Sequence, residues 1–137
     1  MPSPTIATDK VCFIVVMARE IHAKVEPVLP EGAYDDGADT GFREVLEDFA
    51  NDGTYQELRE FIVAMDDDER TELLALVWVG RGDFDASQWE EALAEARGRA
   101  DAREPDYIIG TPLVSDYLEE GLDAFELSCL DFEKRDL

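Results

Sequence analysis

Thr8-Asp9-Lys10-Val11-Cys12-Phe13-Ile14-Val15-Val16-Met17-Ala18-Arg19-Glu20-Ile21-His22-Ala23-Lys24-Val25 is the stretch on which the fold class turns. Its first half, Val11 to Met17, is rich in β-branched residues, and periodicity alone would allow a buried strand. Its second half, from Ala18 on, is helix-forming and carries no turn signal. One continuous helix is the simpler reading, with Thr8 and Asp9 at its N-cap. A helix that is apolar over most of its face belongs inside a bundle. Residues 8–25 are therefore expected to be the central helix.

Downstream, residues 26–41 read as an acidic Pro/Gly loop, with Pro27, Pro30, Gly32, Gly37 and Gly41 among turn-forming aspartates. Loops of this length either carry function or lack fixed structure. Thr40 can cap a short helix presenting Phe42, Val45, Leu46 and Phe49, ended by Asn51-Asp52-Gly53. Thr54 and Glu57 have capping-box spacing. Asp66-Asp67-Asp68-Glu69 opens a further helix with negative charge where the helix dipole favours it. Leu73, Leu74, Leu76, Val77 and Trp78 make that helix strongly apolar. The connection between these two helices is short, which predicts an antiparallel hairpin.

Gly80 or Gly82 suits a left-handed C-terminal cap. The next helix begins near Asp85 or Ser87, and Ser87 and Glu90 also have capping-box spacing. Tyr107-Ile108-Ile109 reads as one helical turn. Thr111-Pro112 reads as an N-cap followed by proline at the first helical position. The last helix buries Leu113, Val114, Tyr117, Leu118, Leu122 and Phe125, and residues 131–137 read as a frayed tail. The expectation is an all-α, single-domain bundle of five to six helices with one long acidic loop and a helical core over 42–130. The 54–80 hairpin should pack on residues 9–25 and on the last helix.

Charge bounds the function. The chain has 34 acidic and 12 basic side chains in 137 residues, a net charge of -22. Residues 31–72 hold fifteen acids against three bases, net -12, while residues 1–30 are neutral. Such a field repels phosphate backbones and anionic headgroups, so no nucleic-acid or membrane partner is expected. It favours cations, above all a basic protein face. The bland alternative is a solubilising surface. Hydrophobic residues make up 45% of the chain, enough for a packed core without a metal or disulfide staple. No apolar run is long enough to span a membrane, and Val11–Ala18 lacks the flanks of a signal peptide. The chain reads as cytoplasmic. Cys12 and Cys129 are expected as two separate small buried residues in a reducing compartment rather than as a redox pair.

No catalytic set is legible. His22 is the single imidazole; four residues before Glu26, it reads as a satisfied helix residue, because one His and two distant Cys do not make a typical zinc site. Paired carboxylates could do acid–base chemistry, but their abundance singles out none. Asp36–Glu47 and Asp83–Ala94 are near misses to the calcium-loop template: the first has Ala38 at a ligand position, the second Gln88 for the glycine and Ala94 for the final Glu. Arg81-Gly82-Asp83, the integrin tripeptide, reads as a turn. Trp78 and Trp89 flank that turn and read as a core corner, with an aromatic partner patch as the alternative.

Leu73-Leu74-Ala75-Leu76-Val77-Trp78-Val79-Gly80-Arg81-Gly82-Asp83, Trp89, Tyr107-Ile108-Ile109-Gly110-Thr111-Pro112-Leu113 and Asp116-Tyr117-Leu118-Glu119-Glu120-Gly121-Leu122 together resemble a small bacterial family of unknown function, the one numbered 3775. The resemblance covers about residues 54–125, and Thr8–Lys24 resembles the segment that commonly precedes it. It implies a small, helical, bacterial protein and brings no activity, cofactor or catalytic residue. The acidic loop at 31–41 lies outside the pattern.

Two functions are expected from different classes. The first is a non-enzymatic interaction or regulatory module that engages a basic partner through helical faces, with a homodimer as one form. The second is a small enzyme or ligand-binding protein with a carboxylate-lined pocket. Mimicry of DNA by rows of carboxylates is a third reading, motivated by the charge alone. The residues to watch as partner or pocket candidates are Trp78, Arg81, Asp83, Trp89, Asp116 and Tyr117. No catalytic, cofactor or metal residue is assigned.

Overall fold

In a computed structural model the described residues are 2–25, 52–99, 104–130 and 132. They are all-helical: α1 (Thr8–Val25), α2 (Gly53–Val63), α3 (Asp67–Arg81), α4 (Trp89–Arg97), α5 (Glu104–Ile109) and α6 (Val114–Asp123), with a 3-10 turn at Ala86–Gln88. The loop expected at 26–41, the short helix after it and, apart from Phe132, the tail at 131–137 lie outside the described residues, as does the first calcium template.

The β-branched run at the head of α1 is helical because its apolar residues fall on one buried face. Val11, Ile14, Val15, Ala18 and Ile21 are enclosed, while Arg19 and Glu20 face solvent. Asp9 in the first turn and His22 and Lys24 in the last complement the dipole. The most enclosed helix is α3 rather than α1: its nine residues Thr71–Val79 are all buried.

The caps explain where the helices start, and several differ from expectation. Asp52, in an extended conformation, caps α2 by accepting from the Thr54 amide at 2.9 Å. Thr54 is thus already helical, and its hydroxyl accepts from Lys24 Nζ at 3.1 Å instead of capping. Asp66 and Glu69 form a capping box on α3, at 2.8 and 3.1 Å. Asp85 and Gln88, not Ser87 and Glu90, form the box that leads into α4. Pro105 sits in the first turn of α5, where its missing N–H costs nothing. Thr111-Pro112 does not cap α6. The Thr111 hydroxyl turns back and donates to the Tyr107 carbonyl at 2.8 Å, and the cap position falls to Leu113.

The expected α2–α3 hairpin is not a packing unit. α2 lies on α1 and α5, whereas α3 lies on α6 and α4, and α6 also rests on α1. Two glycines explain this preference. A Cβ on Gly80 of α3 would stand 1.7 Å from the Tyr117 carbonyl oxygen of α6, and one on Gly121 of α6 would stand 2.5 Å from the Leu76 carbonyl oxygen of α3. Leu76 and Gly80 are one turn apart, as are Tyr117 and Gly121, so the contact is reciprocal and the helices run antiparallel. Backbone-to-backbone approach of this kind leaves α3 nearer to α6 than any side-chain-mediated contact allows. Across the other side of α6, the buried Ser115 hydroxyl donates to the Val15 carbonyl of α1 at 2.8 Å.

Cys12 and Cys129 are not separate thiols. α1 and the segment after α6 bring their Cα atoms to 5.5 Å, and the two form a disulfide across 117 residues of sequence. Both ends are buried. Sequence separation hid this contact, because nothing local joins the two positions. Among the described residues no helix is long and apolar enough to cross a membrane.

Candidate functional site

The six residues singled out from the sequence do not converge on one site. Trp78 is 5% exposed and lies near Phe84, with ring centroids 6.1 Å apart, while the Arg99 guanidinium stands 5.7 Å from the Trp78 ring centre. Trp89 meets Phe125 edge-on at 5.1 Å. Both indoles are therefore core, each with its own aromatic partner. Arg81 pairs at 2.7 Å with Asp83, two residues along the same turn. Asp116 faces α1, where Arg19 bridges it at 3.0 Å and also reaches Glu119. Tyr117 presents its backbone to Gly80. The second calcium template is occupied by local work: Asp83 holds Arg81, and Asp85 caps the turn before α4.

His22 is a satisfied residue between helices. Its Nε2 lies 2.9 Å from the Ile109 carbonyl, so that nitrogen carries the proton and donates. Burial lowers its pKa, against the opposing effect of that hydrogen bond, and the ring is neutral at neutral pH. Among the described residues no three His, Cys, Asp or Glu side chains gather as metal ligands.

Two surfaces remain. The first surrounds the α5–α6 connection. Leu113 is 52% exposed and holds φ 62°, ψ 19°, the left-handed region that a bulky side chain rarely occupies. Gly82, which closes α3 at φ 96°, is the residue type expected there; a leucine is not. Tyr107, on α5, is also exposed, and its side chain hydrogen-bonds with Arg81. Burial tends to lower the Arg81 pKa, but Asp83 and Tyr107 together raise it above the ordinary value. An aliphatic tip, an aromatic ring and a guanidinium thus border the same connection.

The second surface is a cleft of about 330 Å³ between the N-terminal segment and helices α3 and α4. Its most buried polar residue, Thr71, is 4% exposed. Glu72, on the same wall, is 7% exposed, and its carboxylate binds the N-terminal segment. It accepts from the Thr5 amide at 2.6 Å, the Thr5 hydroxyl at 2.9 Å and the Ile6 amide at 2.9 Å. Trp89 and Leu93 supply apolar wall; Asp68, Glu90 and Arg97 stand at the rim. Sequence reasoning missed this cleft. Glu72 sits at the edge of an acidic run, where a carboxylate reads as solvated, and its partner amides are more than sixty residues away. A second missed network joins α2 to α5, where Asp106 accepts from the Tyr55 hydroxyl at 2.7 Å and from Arg59 Nε at 3.1 Å.

An all-helical fold with an αL-closed α3 and a glycine-to-backbone seam, and with no catalytic set assembled among the described residues, defines a helical domain of unknown activity. Residues 55–127, more than half of the chain, match the family model described as "Protein of unknown function (DUF3775)", and the chain belongs to that family. The match takes in α3, the α5–α6 connection and the α3–α6 seam. No curated protein and no solved structure matches the chain.

Proposed function

We propose that the protein is a bacterial, non-enzymatic interaction module that engages a basic protein partner at the α5–α6 connection. The observation that carries this reading is Leu113, an exposed leucine held in a left-handed conformation beside Tyr107 and Arg81. Strain at an exposed apolar residue is a functional signal, because a glycine there would relieve it. The net charge of -22 gives the partner its sign: a basic face would be steered in by the field, and apolar contact at Leu113 would hold it. A homodimer is the competing use of the same face.

The test is capture from native lysate at low and high salt with the wild-type chain and with Leu113→Ser. A basic protein retained at low salt, released at high salt and lost with the serine variant supports the reading. Capture that ignores both salt and Leu113 overturns it, and a concentration-dependent mass in sedimentation assigns the face to a second copy.

The cytoplasm remains the proposed location, and the Cys12–Cys129 bond sets a condition on it. Cytosolic disulfides are transient or redox-sensing, whereas permanent ones belong to oxidising compartments. Rapid alkylation of intact cells distinguishes the two: two labelled thiols support the cytoplasm, and an unlabelled protein moves it elsewhere.

The pocket reading has its own specific support in the cleft lined by Asp68, Glu72 and Glu90. It differs from expectation in position, since Asp68 and Glu72 lie toward the N-terminal end of α3 and Glu90 at that of α4, and not at Asp83 or Asp116.

A further inference from the structure

The cleft between the N-terminal segment, α3 and α4 holds charges of both signs that have no ionic partner among the described residues. Among the described residues Lys10, Arg19, Lys24, Arg59 and Arg81 each form an ion pair. Arg97, at the rim of the cleft, forms none, although the chain carries 34 acidic residues. Glu90, on the same helix and lining the same cleft, also has no ionic partner among the described residues.

A buried hydroxyl adds an independent observation. Thr71 lines the cleft, is 4% exposed and makes no hydrogen bond with any described residue. A buried hydroxyl without a partner carries a desolvation cost, which a ligand atom or an ordered water would relieve. Glu72 does not compete for that role, because both its oxygens already accept from the N-terminal segment.

The spacing selects the ligand. Glu90, Leu93 and Arg97 stand at i, i+3 and i+7, on one face of α4. Seven residues of α-helix rise about 10 Å. An extended peptide advances about 3.3–3.6 Å per residue, so three residues cover about the same distance. A simple amine would face Arg97 unfavourably, and a simple anion would face Glu90. A single amino acid holds its two charges too close together to reach both.

We propose that this cleft binds a short linear peptide of about three residues with both termini free. Its ammonium meets Glu90, its carboxylate meets Arg97, an apolar side chain lies on Leu93 and Trp89, and a backbone group meets the Thr71 hydroxyl. The site is separate from Leu113, and the proposal stands or falls independently of the interaction reading.

The probe is Ala-Leu-Ala, titrated into the oxidised full-length chain by amide NMR, alongside its C-terminal amide and its N-acetyl form. The free peptide is expected to shift the amides of Thr71 and Leu93, with each blocked form at least tenfold weaker. Arg97→Met is expected to weaken the free peptide at least tenfold and to abolish its advantage over the amide. Thr71→Val should weaken binding while Thr71→Ser restores it, with unfolding midpoints confirming that each variant is folded. Absence of shifts at millimolar peptide overturns the proposal. So does an amide that binds as well as the free acid, or affinity indifferent to Arg97.

Discussion

The two ends of α3 use charge in opposite ways. At the C-terminal end, Arg81 turns onto Asp83 two residues away, Trp78 is enclosed, and Gly82 closes the helix in the left-handed region. At the N-terminal end, Glu72 reaches across more than sixty residues to bind the N-terminal segment, and Thr71 lines a cleft with its hydroxyl unpartnered among the described residues. The end whose motif stands out in the sequence has its charges matched nearby, Arg81 by Asp83. The end that reads as one more acidic helix start is where a carboxylate is spent on a distant segment and open capacity lies. Conspicuous residues are often conspicuous because they neutralise each other nearby.

Substitutions at the two ends should separate these roles. The largest effect is expected where α3 meets α6. Gly80→Ala places a Cβ inside the Tyr117 carbonyl, a backbone atom that cannot rotate away, and should cost about 3 kcal/mol or more in denaturant unfolding. A cost below about 1 kcal/mol would mean that the helices can part freely.

Next is Glu72→Gln at the other end. It keeps the shape but removes the charge and turns an acceptor into a donor facing amides, for an expected loss of about 1.5–3 kcal/mol. Hydrogen exchange should quicken at Thr5 and Ile6 and stay unchanged at the C-terminal end of α3. Uniform quickening would show that the two ends are one cooperative unit.

Gly82→Ala is expected to cost about 1 kcal/mol, because its φ of 96° disfavours a Cβ although the space around it is open. The contrast with Gly80, two residues away, separates conformational strain from steric conflict. The smallest effect should come from Arg81→Met. An exposed ion pair with Asp83 contributes about 0.5 kcal/mol or less. A larger loss would mean that its contact with Tyr107 organises the α5–α6 connection.

Most of the helices were legible because their apolar residues recur at helical spacing behind a short polar cap, as at Asp52, Asp66 and Asp85; α6, with Leu113 at its cap position, has no such cap. Residues 8–25 form one helix as expected, Asp66–Glu69 open α3, and Gly82 was one of the two glycines named for its close. What escaped was decided by distant partners. Thr54 looked like a cap, but Asp52 lies one step outside Gly53 and takes the amide first. Thr111 looked like a cap, but its hydroxyl faces the previous helix. The short α2–α3 connection suggested a hairpin, yet Gly80 and Gly121 give α3 a closer neighbour in α6. Of the candidate site, Trp78 and Trp89 took the core role already considered for them. Leu113 was expected to be buried and is exposed, since its backbone angle turns the side chain outward from the α6 stripe. The cleft was not legible because three separate segments build it and none of them carries a motif.

The Cys12–Cys129 bond makes the polypeptide between them a covalent ring, with the whole family-matched region inside it. A protease that cuts once anywhere within that ring would not divide the molecule. On a non-reducing gel the nicked protein would keep its full mass and fall into two fragments only when a reductant is added. The bond therefore turns a single cleavage from a loss of material into a change of connectivity: the two new chain ends arise inside the ring, and the two pieces, each keeping one original terminus, stay joined through the disulfide.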